Sequence, residues 1–386
     1  MALVALVGCA GHSRPGGPAP ESEQPAAPLA YGQPGDLISA RPMAGAPAGI
    51  LAWRVIYHTR DQNGADVAAS GIVLAPAPGY GGAVPAGGRK VITFGHGTTG
   101  LADACAPSLA RPALSAVGST FELVAQGYVV AAADYIGLGT PGRHAIYIAG
   151  PEGQALLDAA RAAQKITAVR TSDQVIIWGY SQGGQAALAA GTMAAHYAPE
   201  LKVRGVVAMS PLADLPRSLA SMPGAEGGVG YVLMAAYGVS VVDPAVDLKA
   251  NLTSRGRHLL AIAQQKCAID LIEASDGLTD RQVFVHDPLT TEPYDAVFAA
   301  QRTAVIGSMP PVLVLQGDAD EVIRQPITAG VVRALCAAGT VVDYHRYPAA
   351  SHSTIFNVSS PDLYAWIYDQ FQDYPPPMHN ICSPTL

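Results

Sequence analysis

Gln174-Val-Ile-Ile-Trp-Gly-Tyr-Ser-Gln-Gly-Gly-Gln-Ala-Ala-Leu-Ala-Ala190 is the stretch that decides the fold. Its first part is a short, continuous apolar run, the pattern of a strand covered on both faces. Its last part is rich in Ala and reads as a helix over Gln182 to Tyr197. Between them stands Gly179-Tyr-Ser-Gln-Gly183, a G-x-S-x-G in which small flanking residues permit a sharp strand-to-helix turn. A serine at that apex stands clear of the sheet, beside the free N–H groups of a helix N-terminus that favour an oxyanion. Ser181 is the candidate nucleophile.

Working outward, the same alternation recurs. Leu51 to His58 and Asp66 to Leu74 read as an opening pair of strands, separated by the turn residues Asp61, Asn63 and Gly64. Further apolar strands are expected at Lys90 to Phe94, Tyr128 to Ala133, Val203 to Met209, Pro311 to Gln316 and Val341 to His345. Helical patterns fall between them at Glu152 to Ile166, Gln325 to Ala338 and Asp362 to Phe371. Such alternation predicts an α/β protein built around a mainly parallel sheet flanked by helices. From 212 to 309 no convincing strand occurs, yet helical patterns do, including Gly230 to Val239 and Leu259 to Ile272. A loop of that length without structure is improbable, so 212–309 is read as an inserted helical cap. The core then comprises 36–211 and 310–386.

A hydroxyl needs a general base, itself oriented by an acid. In α/β-hydrolases the chain order is serine, acid, histidine. The strand Pro311 to Gln316 runs into Gly317-Asp-Ala-Asp-Glu321, and the next strand ends in Tyr347-Pro-Ala-Ala-Ser-His352. Both loops follow strand C-terminal ends, the same sheet edge as Ser181. His352 is the expected base. Asp320 is the preferred acid; Asp318 lies closer to the strand, where it would cap the turn, and stays the alternative. The oxyanion hole requires two backbone donors: Gln182, directly after the nucleophile, and one from Gly95-His-Gly-Thr-Thr-Gly100. Thr98 is favoured for the second, with Gly97 the neighbouring candidate, and His96 is read as shaping that loop. The same loop spells G-x-G-x-x-G, and Asp134 ends the following strand, which raises a dinucleotide site. Cys105, Pro107 and Pro112 follow instead of a helix, however, and the spacing to Asp134 exceeds the expected ~20 residues. No cofactor is therefore expected, and no metal-ligand spacing occurs.

Composition narrows the remaining choices. Hydrophobic residues make up 49% of the 386 and charged ones only 14%, so a sizeable core is expected. The net charge of −7 comes without any basic run, which argues against nucleic acid as a partner. Met1 to Val7 is apolar, and Leu6-Val-Gly-Cys9 reads as a lipobox, so 1–9 is taken as a short signal segment with Cys9 as lipidation site and membrane tether. The Pro/Gly-rich stretch over 10–35 suits a flexible linker. Four cysteines remain, Cys105, Cys267, Cys336 and Cys382, with no CxxC pair. In an exported protein they suggest two disulfides.

Phe94-Gly-His-Gly-Thr-Thr-Gly100, Asp134-Tyr-Ile-Gly-Leu-Gly-Thr-Pro-Gly142, Gly179-Tyr-Ser-Gln-Gly183 and the Gly317/Asp320/His352 ending together resemble the microbial secretory lipases. The resemblance covers roughly Ile50 to Cys382. It implies an α/β-hydrolase with a helical cap before the acid-bearing strand, acting on acylglycerols and other carboxylic esters. It implies Ser181, Asp320 and His352 as the triad, and the pairings Cys105–Cys267 and Cys336–Cys382. The lipobox and tether are no part of the family pattern. An acyl chain needs an apolar cleft, for which the cap offers Leu233 and Leu260, the latter sharing one helical face with Ala263, Cys267 and Leu271. Two other readings keep the fold or the chain but change the task. One is an acyltransferase or serine peptidase, the other a tethered, non-enzymatic binding lipoprotein.

Overall fold

A computed structural model describes residues 29–222, 227–303, 309–372 and 380–382. The proposed signal segment, Cys9 and residues 10–28 of the linker lie outside the described residues. Nine strands form one sheet among the described residues: β1 (Leu37–Pro42), β2 (Ile50–Arg60), β3 (Asp66–Pro76), β4 (Arg89–Gly95), β5 (Val129–Ile136), β6 (Thr171–Tyr180), β7 (Lys202–Met209), β8 (Val312–Gly317) and β9 (Val342–Tyr347). Their spatial order is β1-β2-β3-β5-β4-β6-β7-β8-β9. The first three are antiparallel and pair to the rest through β3 and β5. From β5 to β9 every pairing is parallel.

The period-two geometry of β6 explains why its apolar run is unbroken. Val175 and Ile177 join the cluster beneath the helices Ala149–Gln164 and Gln182–Tyr197, with Leu156, Ala160 and Leu188. Ile176 and Trp178 join the opposite cluster with Leu363 and Ile367 of the helix Ile355–Gln370. Both faces are covered, so neither can be polar. Between β7 and β8 the described chain is helical, with helices at Leu215–Ser221, Gly228–Val242, Ser254–Ala263, Ala268–Ser275, Asp280–Val283 and Tyr294–Ala300. These helices share an apolar cluster that includes Leu233, Leu260 and Phe298 and extends to Leu101, Ile146, Tyr147 and Ile323 outside the insert. No helix of the described residues is long and apolar enough to cross a membrane.

Besides a short helix at Phe121–Ala125, three elements differ from the sequence reading. Strand β1 was not anticipated, because Leu-Ile-Ser-Ala-Arg-Pro has no apolar run and no fully buried residue. It is an edge strand ending at Pro42, where a missing N–H does no harm. The expected single helix from Leu259 to Ile272 is two, broken between Ala263 and Ala268. Cys267 is extended (φ −86°, ψ 172°) because it bonds to Cys105 and pairs with Gly100 across an isolated bridge. Leu260 and Leu271 therefore do not share one continuous helical face. The last helix starts at Ile355 and runs through Pro361 rather than beginning after it. The carbonyl that loses its donor belongs to Asn357, an exposed residue that water can serve.

The second bridge joins Cys336 to Cys382, 46 residues apart, and holds the C-terminal segment against β9 through the Ile381 N–H to Val342 carbonyl bond. Closing a loop of that size removes chain entropy from the unfolded state worth about 4 kcal/mol. The double substitution of Cys336 and Cys382 by Ser is therefore expected to lower unfolding stability by up to about 4 kcal/mol while sparing the distant Ser181 edge. Denaturant titrations of parent and variant, read with an activity assay at low denaturant, check this. Equal midpoints would show that the tail is held without the bridge.

Candidate active site

Ser181 sits at the turn between β6 and the helix Gln182–Tyr197, with φ 56° and ψ −116°. That conformation is strained for any residue with a side chain. Backbone contacts enforce it: the Ser181 N–H donates to the Met209 carbonyl at 2.9 Å, and the Ser181 carbonyl accepts from Gly184 at 2.9 Å. A Cβ on Gly179 would lie 1.8 Å from the Gly183 carbonyl oxygen, and one on Gly183 would lie 1.9 Å from that of Gly95. The two glycines of the motif are therefore steric requirements of the turn.

The loops after β8 and β9 converge on this serine. His352 Nε2 lies 3.0 Å from Ser181 Oγ, and His352 Nδ1 lies 2.8 Å from Asp320 Oδ2. The Asp320 carboxylate is wholly buried. Its Oδ1 accepts from the backbone N–H groups of Val322 at 3.0 Å and Ile323 at 2.7 Å, and its Oδ2 also accepts from Gln316 Nε2 at 3.2 Å. Asp318 points elsewhere, to an ion pair with Arg346 at 2.9 Å. Tyr180 braces the histidine: its hydroxyl donates to the His352 carbonyl at 2.9 Å and the two rings are 4.9 Å apart.

The loop after β4 lies against the same serine. A Cβ placed on Gly97 would come within 3.5 Å of Ser181 Cβ. Thr98 Oγ1 is 2.9 Å from the Tyr147 hydroxyl, which fixes its side chain, and Ala268 N–H donates to the Thr99 carbonyl at 2.8 Å. Gln182 opens its helix, where backbone N–H groups have no intrahelical acceptor. His96 is buried, with Nε2 at 3.3 Å from the Asp134 carbonyl, and burial holds its pKa below the usual range.

After Gly95–Gly100 the chain enters three-residue helical turns at Asp103–Cys105 and Pro107–Leu109, so these glycines open no dinucleotide-binding helix. Asp134 is buried, accepting from Ser70 Oγ at 2.6 Å and the Ser108 N–H at 2.9 Å. It ties β3 to the turn at Ser108. Leu233 is fully buried inside the insert's cluster, and Leu260 lines a cavity of about 290 Å³ with Arg143, Tyr237 and Leu248.

Two polar residues behind the turn escaped the sequence reading. Glu152 accepts from Gln182 Nε2 at 2.7 Å and from the Tyr147 N–H at 2.9 Å, and His144 Nε2 lies 3.4 Å from the same Gln182 nitrogen. The signal for Glu152 was in the sequence: it falls on the stripe of Leu156, Ala159, Ala160 and Ala163, where a carboxyl is out of place. His144 follows an irregular loop and gave no periodic signal.

Residues 117–378 match the family model described as Secretory lipase. The chain is 26% identical over 382 residues to a Mycobacterium tuberculosis protein named "Probable inactive lipase", covering 92% of this chain and 83% of that one. It is 25% identical over 366 residues to a secreted triacylglycerol lipase of Malassezia globosa, covering 88% and 76%. Among solved structures it is similar to Candida antarctica lipase A, with a TM-score of 0.76, 22% identity, and 92% and 85% of the two chains covered. A rice cell wall degrading esterase from Xanthomonas oryzae superposes with a TM-score of 0.68 at 17% identity, over 89% and 100%. At these identities the structures speak to the fold alone, and that fold is the α/β-hydrolase.

Proposed function

The chain belongs to the secretory lipase family, and on that premise we propose that it is an exported serine hydrolase of carboxylic esters, a lipase acting on acylglycerols or related esters. The observation that carries this reading is the continuous path from Ser181 Oγ through His352 to the buried Asp320, at 3.0 and 2.8 Å. Ser181 Oγ attacks the ester carbonyl carbon as His352 Nε2 takes its proton. The carbonyl oxygen becomes an oxyanion, held by the N–H groups of Gln182 and of Thr98 or Gly97. Collapse breaks the bond to the alcohol, which leaves with the proton from His352. Water, activated by the same histidine, then releases the acid from Ser181 and restores the serine. The Mycobacterium relative is named a probable inactive lipase; in this chain the intact path supports turnover.

The helical insert is proposed as a cap that supplies the acyl pocket, and Cys9 as the point of a lipid tether. Two disulfides and the secretory family support export. Asp at Leu233 or Leu260 would place a charge in the insert's buried cluster and endanger its folding, so the substrate itself is the cleaner variable. Each methylene transferred to an apolar pocket contributes about 0.8 kcal/mol, close to fourfold. For p-nitrophenyl acetate, butyrate, octanoate and laurate, kcat/KM is expected to climb by more than about tenfold before the pocket fills. A flat series would leave a carboxylesterase in place of a lipase. Turnover of peptides or acyl acceptors in preference to every ester would replace the hydrolase reading altogether.

A further inference from the structure

The chemistry proposed above uses one buried carboxylate, Asp320, yet a second buried carboxyl lies on the other side of the nucleophile turn. Glu152 stands in the first turn of the helix Ala149–Gln164 and is 2% exposed. Its Oε1 accepts both of the hydrogen bonds already described, and its Oε2 has no partner among the described residues. The two donors it serves are not equivalent. Gln182 carries the N–H next to the nucleophile, and Glu152 holds its side chain. Tyr147 is in the left-handed region with φ 63°, a strained conformation for a tyrosine, and its backbone N–H is the group that Glu152 engages. The Tyr147 phenol in turn meets Thr98 Oγ1 at 2.9 Å.

We propose that Glu152 is a positioning residue for the oxyanion hole, one carboxyl oxygen holding Gln182 directly and Thr98 through Tyr147. This inference rests on the ester-hydrolase reading, since it assigns donor roles to Gln182 and to the Gly97–Thr98 loop. Glu152 does not touch the reacting ester. It fixes the two elements, from β4 and from the helix after Ser181, whose separation sets the width of the hole.

The surroundings of Glu152 add a pH dependence. His144, on the far side of Gln182, lies 2.9 Å from the Ile136 carbonyl through Nδ1, so Nδ1 is the donor and Nε2 an acceptor. Burial pushes its pKa down to about 3, and it stays neutral. The phenols of Tyr135 and Tyr147, both raised well above the ordinary range by burial, are neutral too. None of these groups supplies a positive charge. Burial accordingly raises Glu152 to about 8, against the lowering effect of its bonds to Gln182 and Tyr147. At neutral pH the carboxyl is protonated. Above pH about 8 it ionises and sets a buried negative charge behind the donors that must stabilise another.

The test compares parent, Glu152→Gln and Glu152→Ala in the full chain, with kcat and KM for p-nitrophenyl butyrate measured across neutral and alkaline pH. The parent is expected to lose kcat above pH about 8. Glu152→Gln keeps the acceptor and cannot ionise, so it should hold kcat within about threefold at neutral pH and lose the alkaline limb. Glu152→Ala removes the acceptor and should lower kcat by about 10²-fold with little change in KM. An infrared difference between parent and Glu152→Gln should show a carboxylic-acid carbonyl band that fades through the same pH range, independent of turnover. A Glu152→Ala enzyme with kcat within about twofold of the parent overturns the proposal. So does an alkaline limb unchanged in Glu152→Gln, which decides the matter even if the alanine variant does not fold. A parent that turns over no ester would instead defeat the ester-hydrolase reading on which this one stands.

Discussion

Ser181→Ala is expected to lower ester turnover by at least about 10⁴-fold without unfolding the protein. The strained turn at φ 56° does not depend on the hydroxyl, because it is imposed by the Met209 and Gly184 hydrogen bonds and by the contacts of Gly179 and Gly183. Alanine meets the same backbone strain as serine and adds no atom, so the elbow should persist. What is lost is the hydroxyl that lies 3.0 Å from His352 Nε2. Water could still be bound and polarised at the donors of Gln182 and the Gly97–Thr98 loop, and a residual rate of about 10³–10⁴ over the uncatalysed reaction is therefore anticipated. Circular dichroism and an unfolding titration would establish that the variant is folded. A fluorophosphonate should label the parent on Ser181 and leave the variant unlabelled. Parental rates in a folded Ser181→Ala protein would mean that another residue is the nucleophile and that the Ser181–His352 contact is structural.

The elements that position this serine were legible because local and tertiary demands agree there. Val175 to Trp178 had to be apolar on both sides to lie between two layers of helices, and Gly179 and Gly183 had to lack side chains to let the helix start beside β4. The loops after β8 and β9 were legible for a similar reason, since a parallel strand must end before its loop can carry polar groups. What stayed hidden was decided at long range. The break at Gln264 to Lys266 follows from a disulfide and a bridge to residues more than 160 positions earlier, for which local periodicity carries no trace. Strand β1 takes its stability from pairing with β2 rather than from its own composition. Glu152 is marked as out of place by the apolar stripe on which it falls, but that pattern does not say what the carboxyl holds. Its role appears only when the turn after β6 and the loop before Ala149 are brought to the same carboxyl oxygen. Leu233 illustrates the opposite case, an apolar residue suited to a pocket that is wholly spent on packing the insert.

Asp320→Asn should cost about 10⁴-fold in kcat, whereas Asp318→Asn should stay within about twofold of the parent. The difference follows from who donates to each carboxylate. Four donors converge on Asp320: the N–H groups of Val322 and Ile323 on Oδ1, and Gln316 Nε2 with His352 Nδ1 on Oδ2. An asparagine has one oxygen for those two sides. Turning its NH₂ toward Val322 and Ile323 would oppose two backbone N–H groups, at 3.0 and 2.7 Å, in a buried site. The NH₂ must therefore face His352, whose Nδ1 becomes the acceptor. The ring proton then resides on Nε2, the atom that should receive the proton of Ser181, and the wrong tautomer cannot act as base. Asp318 has no such hold on the histidine. It pairs with Arg346 at 2.9 Å where both side chains reach water, and its amide would cost a screened surface contact. Measuring kcat and KM for both variants on p-nitrophenyl butyrate separates the two positions, with the loss at Asp320 expected in kcat rather than KM because the carboxylate does not touch the ester. A larger loss in Asp318→Asn would move the acid to that residue. An Asp320→Asn enzyme within about tenfold of the parent would show that His352 acquires its tautomer without help from the carboxylate.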